Sequence, residues 1–220
     1  MRAGLATWVV AVGVLMPLAV RADEWRPLIG ARLGAQAWYF DRDAPAGLRG
    51  GVFQLDAGAA WTPSDAAGWR LAVYGFGQRA ILDERGDRLP RGPAATSDAL
   101  GLGVRLRTNP GGAVGLLVDL GLARRWLRVP YDDPTPPTRR EASFSGWEPL
   151  RLGAGPTIAL DRHWSMDVLV GFALGRFAPS TASASTTCAV SDACSDSAID
   201  DGTPRLHLLL DLGLALHFEG

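Results

Sequence analysis

The sequence predicts an all-β chain: an eight-stranded antiparallel transmembrane β-barrel, with its strands in up-and-down meander order. Three observations predict it. The last stretch, Arg205 to Glu219, sets Leu206, Leu208, Leu210, Leu212, Leu214, Leu216 and Phe218 at every even position, with Arg205, His207, Asp211, Gly213, His217 and Glu219 among the odd ones. That period of two belongs to a strand and not to a helix. Seven earlier stretches repeat the alternation, joined by connections that run long, short, long, short, long, short, long. After Ala22 no stretch approaches the roughly 20 apolar residues of a spanning helix. An apolar face for lipid and a face of charge, glycine and histidine for a lumen is the pattern of a membrane barrel.

Length and composition narrow the classes further. A chain of 220 residues has room for one sizeable core, and its formal charge of -1 points to no nucleic-acid partner. Residues 1–22 carry an early Arg2, an apolar run from Leu5 to Val20 and a small-residue end at Val20-Arg21-Ala22, so they are expected to be a cleaved secretory signal. The barrel domain is then 23–220. The basic residues are all arginine, whose planar fork suits carboxylates in a lumen or phosphates on lipid headgroups. Cys188 and Cys194 lie close together in a polar stretch of an exported chain, and a local disulfide is expected. No nearby histidine or second cysteine pair completes a metal site, and no cofactor is expected.

The first strand, Leu28 to Phe40, sets Ile29, Ala31, Leu33, Ala35, Ala37 and Tyr39 against Gly30, Arg32, Gly34 and Gln36. The second, Gly51 to Trp61, sets Phe53, Leu55, Ala57, Ala59 and Trp61 against Gln54, Asp56, Gly58 and Ala60. After the turn at 62–68, the third runs from Trp69 to Ala80 with its phase open, because Tyr74 and Phe76 oppose Leu71 and Val73. The fourth, Asp98 to Arg107, sets Leu100, Leu102, Val104 and Leu106 against Gly101, Gly103, Arg105 and Arg107. Asn109-Pro110-Gly111-Gly112 is a tight turn by composition. The fifth, Ala113 to Val129, places Gly115, Asp119, Gly121 and Arg125 inside, and residues 131–140 are expected to be a long loop. The sixth, Ser143 to Leu160, places Arg151, Gly153, Gly155 and Thr157 inside; its Pro149 and Pro156 require bulges or strand ends, since a closed barrel has no edge to take a missing donor. The seventh, starting at Trp164, sets Met166, Val168, Val170, Phe172 and Leu174 against Ser165, Asp167, Gly171 and Gly175.

Aromatic residues mark both ends of these strands, as girdles do in membrane barrels. Trp61 and Trp69 flank one short turn, Trp164 follows another and Phe218 ends the last strand, while Tyr39, Trp126 and Trp147 fall at the opposite ends. A soluble eight-stranded barrel also alternates, with an apolar lumen and a polar exterior. Rim aromatics, abundant glycine and sparse charge argue against that inversion.

With these features the chain resembles the small outer-membrane barrels of Gram-negative bacteria, the group that includes OmpX, Ail and the membrane domain of OmpA. The resemblance is one of architecture, from about Trp25 to Gly220, and it includes the final strand, Leu206 to Phe218, which is similar to the C-terminal assembly signal of such proteins. The chain departs from that signal in its last two residues, Glu219-Gly220. The resemblance implies an outer-membrane address, short turns in the periplasm, long loops outside, and recognition of the last strand by the barrel-assembly machinery.

The inward phase gathers Arg32, Asp56, Arg105, Arg107, Asp119, Arg125, Arg151, Asp167, His207 and Asp211. An eight-stranded bore is just wide enough for side chains to fill, so these charges are expected to pair into a closed, salt-bridged lumen. A narrow pore for small solutes is the alternative. Catalysis would need a nucleophile, a base and an orienting acid. His207 near Asp211, with Ser165 and Asp167 on a neighbouring strand, is the only such grouping, and it faces the lumen and not lipid; no catalytic residue is assigned, and a lipid acyl-modifying enzyme ranks third. The long loops suit surface contacts with a partner the sequence does not name. Arg124 takes the outward phase, and with Arg128, Arg139 and Arg140 it could grip lipopolysaccharide phosphates.

Overall fold

The structure, a computed structural model, describes residues 25–40, 48–63, 68–84, 94–109, 112–134, 137–178 and 205–220. The expected signal at 1–22 and both cysteines, Cys188 and Cys194, lie outside the described residues. Eight strands form the barrel: β1 (Trp25–Phe40), β2 (Leu48–Trp61), β3 (Trp69–Glu84), β4 (Ala95–Thr108), β5 (Val114–Pro134), β6 (Pro137–Ala159), β7 (Trp164–Ala178) and β8 (Arg205–Glu219). Each pairs antiparallel with the next, and β1 closes on β8 from Leu28 opposite Glu219 to Phe40 opposite His207. Closure leaves the sheet no edge, which is the only way a sheet can stand in hydrocarbon. A tilted strand needs about 9–11 residues to cross, and every strand here exceeds that.

The exposed side of the wall is apolar. Ile29, Leu33, Leu102, Leu120, Val170, Leu212 and Leu214 stand in the open, while Arg32, Asp56, Arg105, Arg125 and Asp167 are buried inside. This is the membrane sense of the alternation and excludes the inverted, soluble one. The phase of β3 is now settled: Arg70, Ala72, Tyr74, Phe76 and Gln78 point inward, and Leu71 and Val73 face out. Tyr74 leans over its cross-strand partner on β4, where a Cβ on Gly103 would sit 2.5 Å from its ring.

Two expectations about β6 divide. A register shift does occur between Trp147 and Leu150, around Pro149. No shift occurs at Pro156: it stays opposite Leu116 on β5, and the β6–β7 register is unchanged between Ala154–Val170 and Thr157–Asp167. The missing donor is accommodated by a gap in the β7 ladder at 155–156 instead of an extra residue. The loop expected at 131–140 is also corrected. β5 and β6 continue as a paired hairpin to Pro134 opposite Pro137. Alternation fades there because a hairpin beyond the bilayer no longer has one greasy side, although its backbone bonds continue.

The short turns are held locally. Asn109 has the only positive φ among described non-glycine residues, 52°, and its side chain donates to the Val114 carbonyl at 2.9 Å. Asp161 accepts from the His163 and Trp164 amides at 2.7 and 2.8 Å. These amides hold its carboxyl below the usual carboxylate range. Because the folded pKa is depressed, the turn gains from the charge above the ordinary carboxylate pKa and loses that gain as pH falls through the folded value. The amide protons of His163 and Trp164 should titrate together in that acid range in an NMR series, and a flat response would remove Asp161 as their acceptor. A second outcome concerns strand contact. Gly34→Val should abolish heat-modifiable gel mobility, since a Cβ there meets the Leu212 carbonyl oxygen at 2.2 Å, whereas Gly77→Val, with nothing within 4 Å, should keep it.

Candidate functional site

The lumen holds three zones stacked between the loop end and the short-turn end. At the loop end it is apolar, contrary to the uniformly polar interior expected. Trp38, Leu48, Val52, Leu82, Leu127, Phe177 and Leu209 form one buried cluster, with Phe40, Val129 and Phe144 packed against it. Trp38 and Phe177 lie parallel at 6.3 Å. The sequence signal was Leu209 and Phe177, large apolar residues on the inward phase of β8 and β7.

Below this plug, Glu148 is the hub. It accepts from Arg125 Nε at 2.5 Å and Nη2 at 3.2 Å, from Arg151 at 3.3 Å, and faces His207 Nε2 at 3.2 Å. Arg125 also donates to Gln78 at 2.7 Å and Ser97 at 3.0 Å, and its guanidinium lies 5.0 Å from the Trp38 ring. His207 stacks on Phe177 at 4.4 Å and occupies the space a Cβ on Gly175 would take. Strict alternation along β6 from Leu150 puts Glu148 outside, which is why sequence reasoning missed it. The bulge around Pro149 turns it inward beside Arg151.

Arg32 pairs with Asp211 in the middle zone, and the inward glycines Gly121, Gly153 and Gly171 leave a small cavity there, bordered by Tyr74, Phe76, Asp119 and Arg151. Nearer the short turns, Arg105 bridges Asp119 at 2.9 Å and Asp56 at 3.0 Å, with Tyr74 stacked 4.5 Å from its guanidinium. Arg105 Nη1 stands 2.5 Å from His217 Nε2. The same Nε2 lies 3.2 Å from Asp56 Oδ2, and Nδ1 of that ring lies 2.7 Å from Asp167. Asp167 also takes Arg107 at 3.1 Å, and Glu219 takes Arg107 at 2.5 Å together with Arg70.

All ten residues expected in the lumen are inside. Arg70, Gln78, Glu148, His217 and Glu219 join them. Arg70 and Gln78 required the phase of β3; Glu219 and His217 were already legible on the inward face of the last strand. Among the described residues the inward cations Arg32, Arg70, Arg105, Arg107, Arg125 and Arg151 match in number the carboxylates Asp56, Asp119, Glu148, Asp167, Asp211 and Glu219. Buried charges persist only when paired in this way.

The His207–Asp211 grouping does not pair: His207 faces Glu148. Asp211, the orienting acid suggested for His207, is taken by Arg32. Ser165 stands opposite His217 in register, yet its Oγ has no hydrogen-bond partner, so no serine–histidine–acid relay forms. His163 is outside the lumen, with Nδ1 2.9 Å from the Glu219 carbonyl oxygen. On the exterior, Arg124 and Arg128 are exposed on β5. Arg139 and Arg140 stand opposite Asp132 and Tyr131 on the extended hairpin, three and four residues beyond Ser143, the partner of Arg128. At about 3.3 Å per residue their backbones stand some 10–13 Å farther out than that of Ser143.

Glu148→Leu should leave Arg125 and Arg151 buried without their carboxylate and cost about 3–5 kcal/mol. The urea midpoint of the refolded protein in detergent measures this, and adding Arg125→Met should recover part of the loss. An unchanged midpoint would mean that Glu148 is not the hub.

The sequence matches no protein-family model and no curated protein. Among solved structures, the barrel is similar to neisserial surface protein A, with 11% identity, a TM-score of 0.51, and coverage of 87% of this chain and 96% of that one. It is also similar to Ail, the attachment invasion locus protein of Yersinia pestis, at 13% identity, TM-score 0.45, and 89% and 99% coverage. A third is the outer membrane protease OmpT of Escherichia coli, at 9% identity, TM-score 0.43, and 93% and 99% coverage. At the level of architecture, the chain has the closed eight-stranded up-and-down fold of the small outer-membrane barrels.

Proposed function

We propose that this chain is a non-enzymatic integral outer-membrane protein with a structural or surface-interaction role and a closed lumen. The single observation behind this reading is the pairing that spans the bore at two levels, Glu148 with Arg125 and Arg151, and Arg105 with Asp56 and Asp119. The apolar plug of Trp38, Phe177 and Leu209 closes the loop end above them. An eight-stranded bore has little room left once such side chains fill it.

In this reading residues 1–22 direct export, β8 is the segment the assembly machinery engages, the short turns face the periplasm, and the long connections face outward to meet lipopolysaccharide and external partners. The rim aromatics support two interfaces: Trp61 and Trp69 meet edge to face at 5.6 Å, as do Trp164 and Phe218 at 5.2 Å, while Trp147 is exposed near the loop end. Such rings settle at headgroup depth.

The purified protein should give no large, stable single-channel conductance in planar bilayers; such a conductance would replace this reading with the narrow-pore one. Membrane fractionation with heat-modifiable gel mobility tests the address, and a chain recovered soluble from the periplasm would overturn it.

A further inference from the structure

The exterior carries a feature that the lumen does not explain. Arg124 on β5 stands opposite Trp147 on β6, and Trp147 stands opposite Arg176 on β7. All three side chains are exposed on the outer face. Adjacent strands lie about 4.8 Å apart, so the two arginines flank one indole with their backbones roughly 10 Å from each other. The Arg124 guanidinium is 5.5 Å from the Trp126 ring and 6.0 Å from the Trp147 ring. Those aromatic faces restrain it and leave its edge free to donate.

Depth and charge identify what it meets. On the short-turn side of the row β5 presents Leu120 and Leu122 and β7 presents Leu174, while on its loop side β5 carries Trp126 and Arg128 and β6 carries Ser145, so the row sits where the apolar wall of these strands ends. An arginine facing hydrocarbon is costly at mid-depth and tolerated near the interface. Glu148, beside Trp147, is turned inward and fully buried. The outward carboxylate nearest in register, Asp98, stands opposite Trp126 and lies 3.9 Å from Arg79 on the strand beyond. Among the described residues, neither Arg124 nor Arg176 has an ion-pair partner. Two cations at the boundary of an apolar wall, spaced about an aromatic ring, complement an anionic headgroup, and the guanidinium fork matches phosphate geometry.

We infer that Arg124, Trp147 and Arg176 form a binding site for a phosphorylated lipid headgroup, that of lipid A in the loop-side leaflet. The identity of the lipid rests on the outer-membrane reading above; the phosphate chemistry rests on the exposed row itself. Trp147 supplies a flat face for the sugar-borne headgroup, and the arginines hold its phosphate from either side.

The test is a lipid titration of the refolded protein in detergent micelles, read by native mass spectrometry, with bis-phosphorylated lipid A, the same lipid stripped of phosphate, and inorganic phosphate alone. Wild type should retain phosphorylated lipid A at least tenfold more tightly than the dephosphorylated form, a ratio equivalent to about 1.4 kcal/mol. Arg124→Gln with Arg176→Gln should erase that preference while heat-modifiable mobility is kept, and Arg124→Lys with Arg176→Lys should retain part of it. If the double glutamine variant does not fold, each single variant should lose the preference several-fold. Equal retention of both lipid forms by wild type, or an unchanged preference in the folded glutamine variants, overturns the site. Inorganic phosphate held as tightly as the lipid overturns the lipid assignment. A chain absent from the outer-membrane fraction would overturn the address while leaving the titration as measured, so the two failures are distinguishable.

Discussion

Pairing of charge inside a closed ring of strands is the constraint on which the rest of the barrel depends. Once β1 bonds to β8, most inward side chains are cut off from bulk water by a wall of backbone and lipid-facing leucines. A guanidinium placed there needs a carboxylate, and each carboxylate needs donors. Arg125, which is wholly buried, meets Glu148, Gln78 and Ser97, and Asp56 meets Arg105 and Gln54. Some partners sit on the same or the adjacent strand, as Gln54 and Glu148 do, but Arg32 with Asp211 and Arg107 with Glu219 join β1 and β4 to β8 and form only in the closed ring. The network therefore favours one arrangement of strands over any slipped one, because a slip of one residue would turn these charges into lipid.

The same wall separates two kinds of arginine. Inward arginines are matched by acids and padded by rings, as Arg105 is by Tyr74 and Arg151 by Phe76 at 4.6 Å. Outward ones gather near the loop end among tryptophans, with Asp98 the carboxylate in register there. A single residue type thus serves two environments, and which one it serves follows from one step of pleat.

How much of this was legible depended on whether local alternation survived. In β4 and β8 it did, and Arg105, Arg107, His207 and Asp211 were placed without any structure. In β3 it did not, because aromatic residues stand on the lumen side as well as apolar ones on the lipid side, and Arg70 and Gln78 were lost with the phase. Glu148 was lost to a bulge, which adds a residue to the count and reverses the face of everything before it. The proline at 149 hinted at the irregularity but not at its sense, and the similar hint at Pro156 led to no bulge at all.

By itself the sequence determined the strand count, their meander order and the membrane sense of the wall, because a two-residue period and rim aromatics are local properties that each segment states alone. Tertiary structure decided the pairings across the lumen, the apolar plug above them, and the row of Arg124, Trp147 and Arg176 on three adjacent strands. Those depend on register, tilt and bulge, which are set by closure of the whole ring and leave no mark on any one strand.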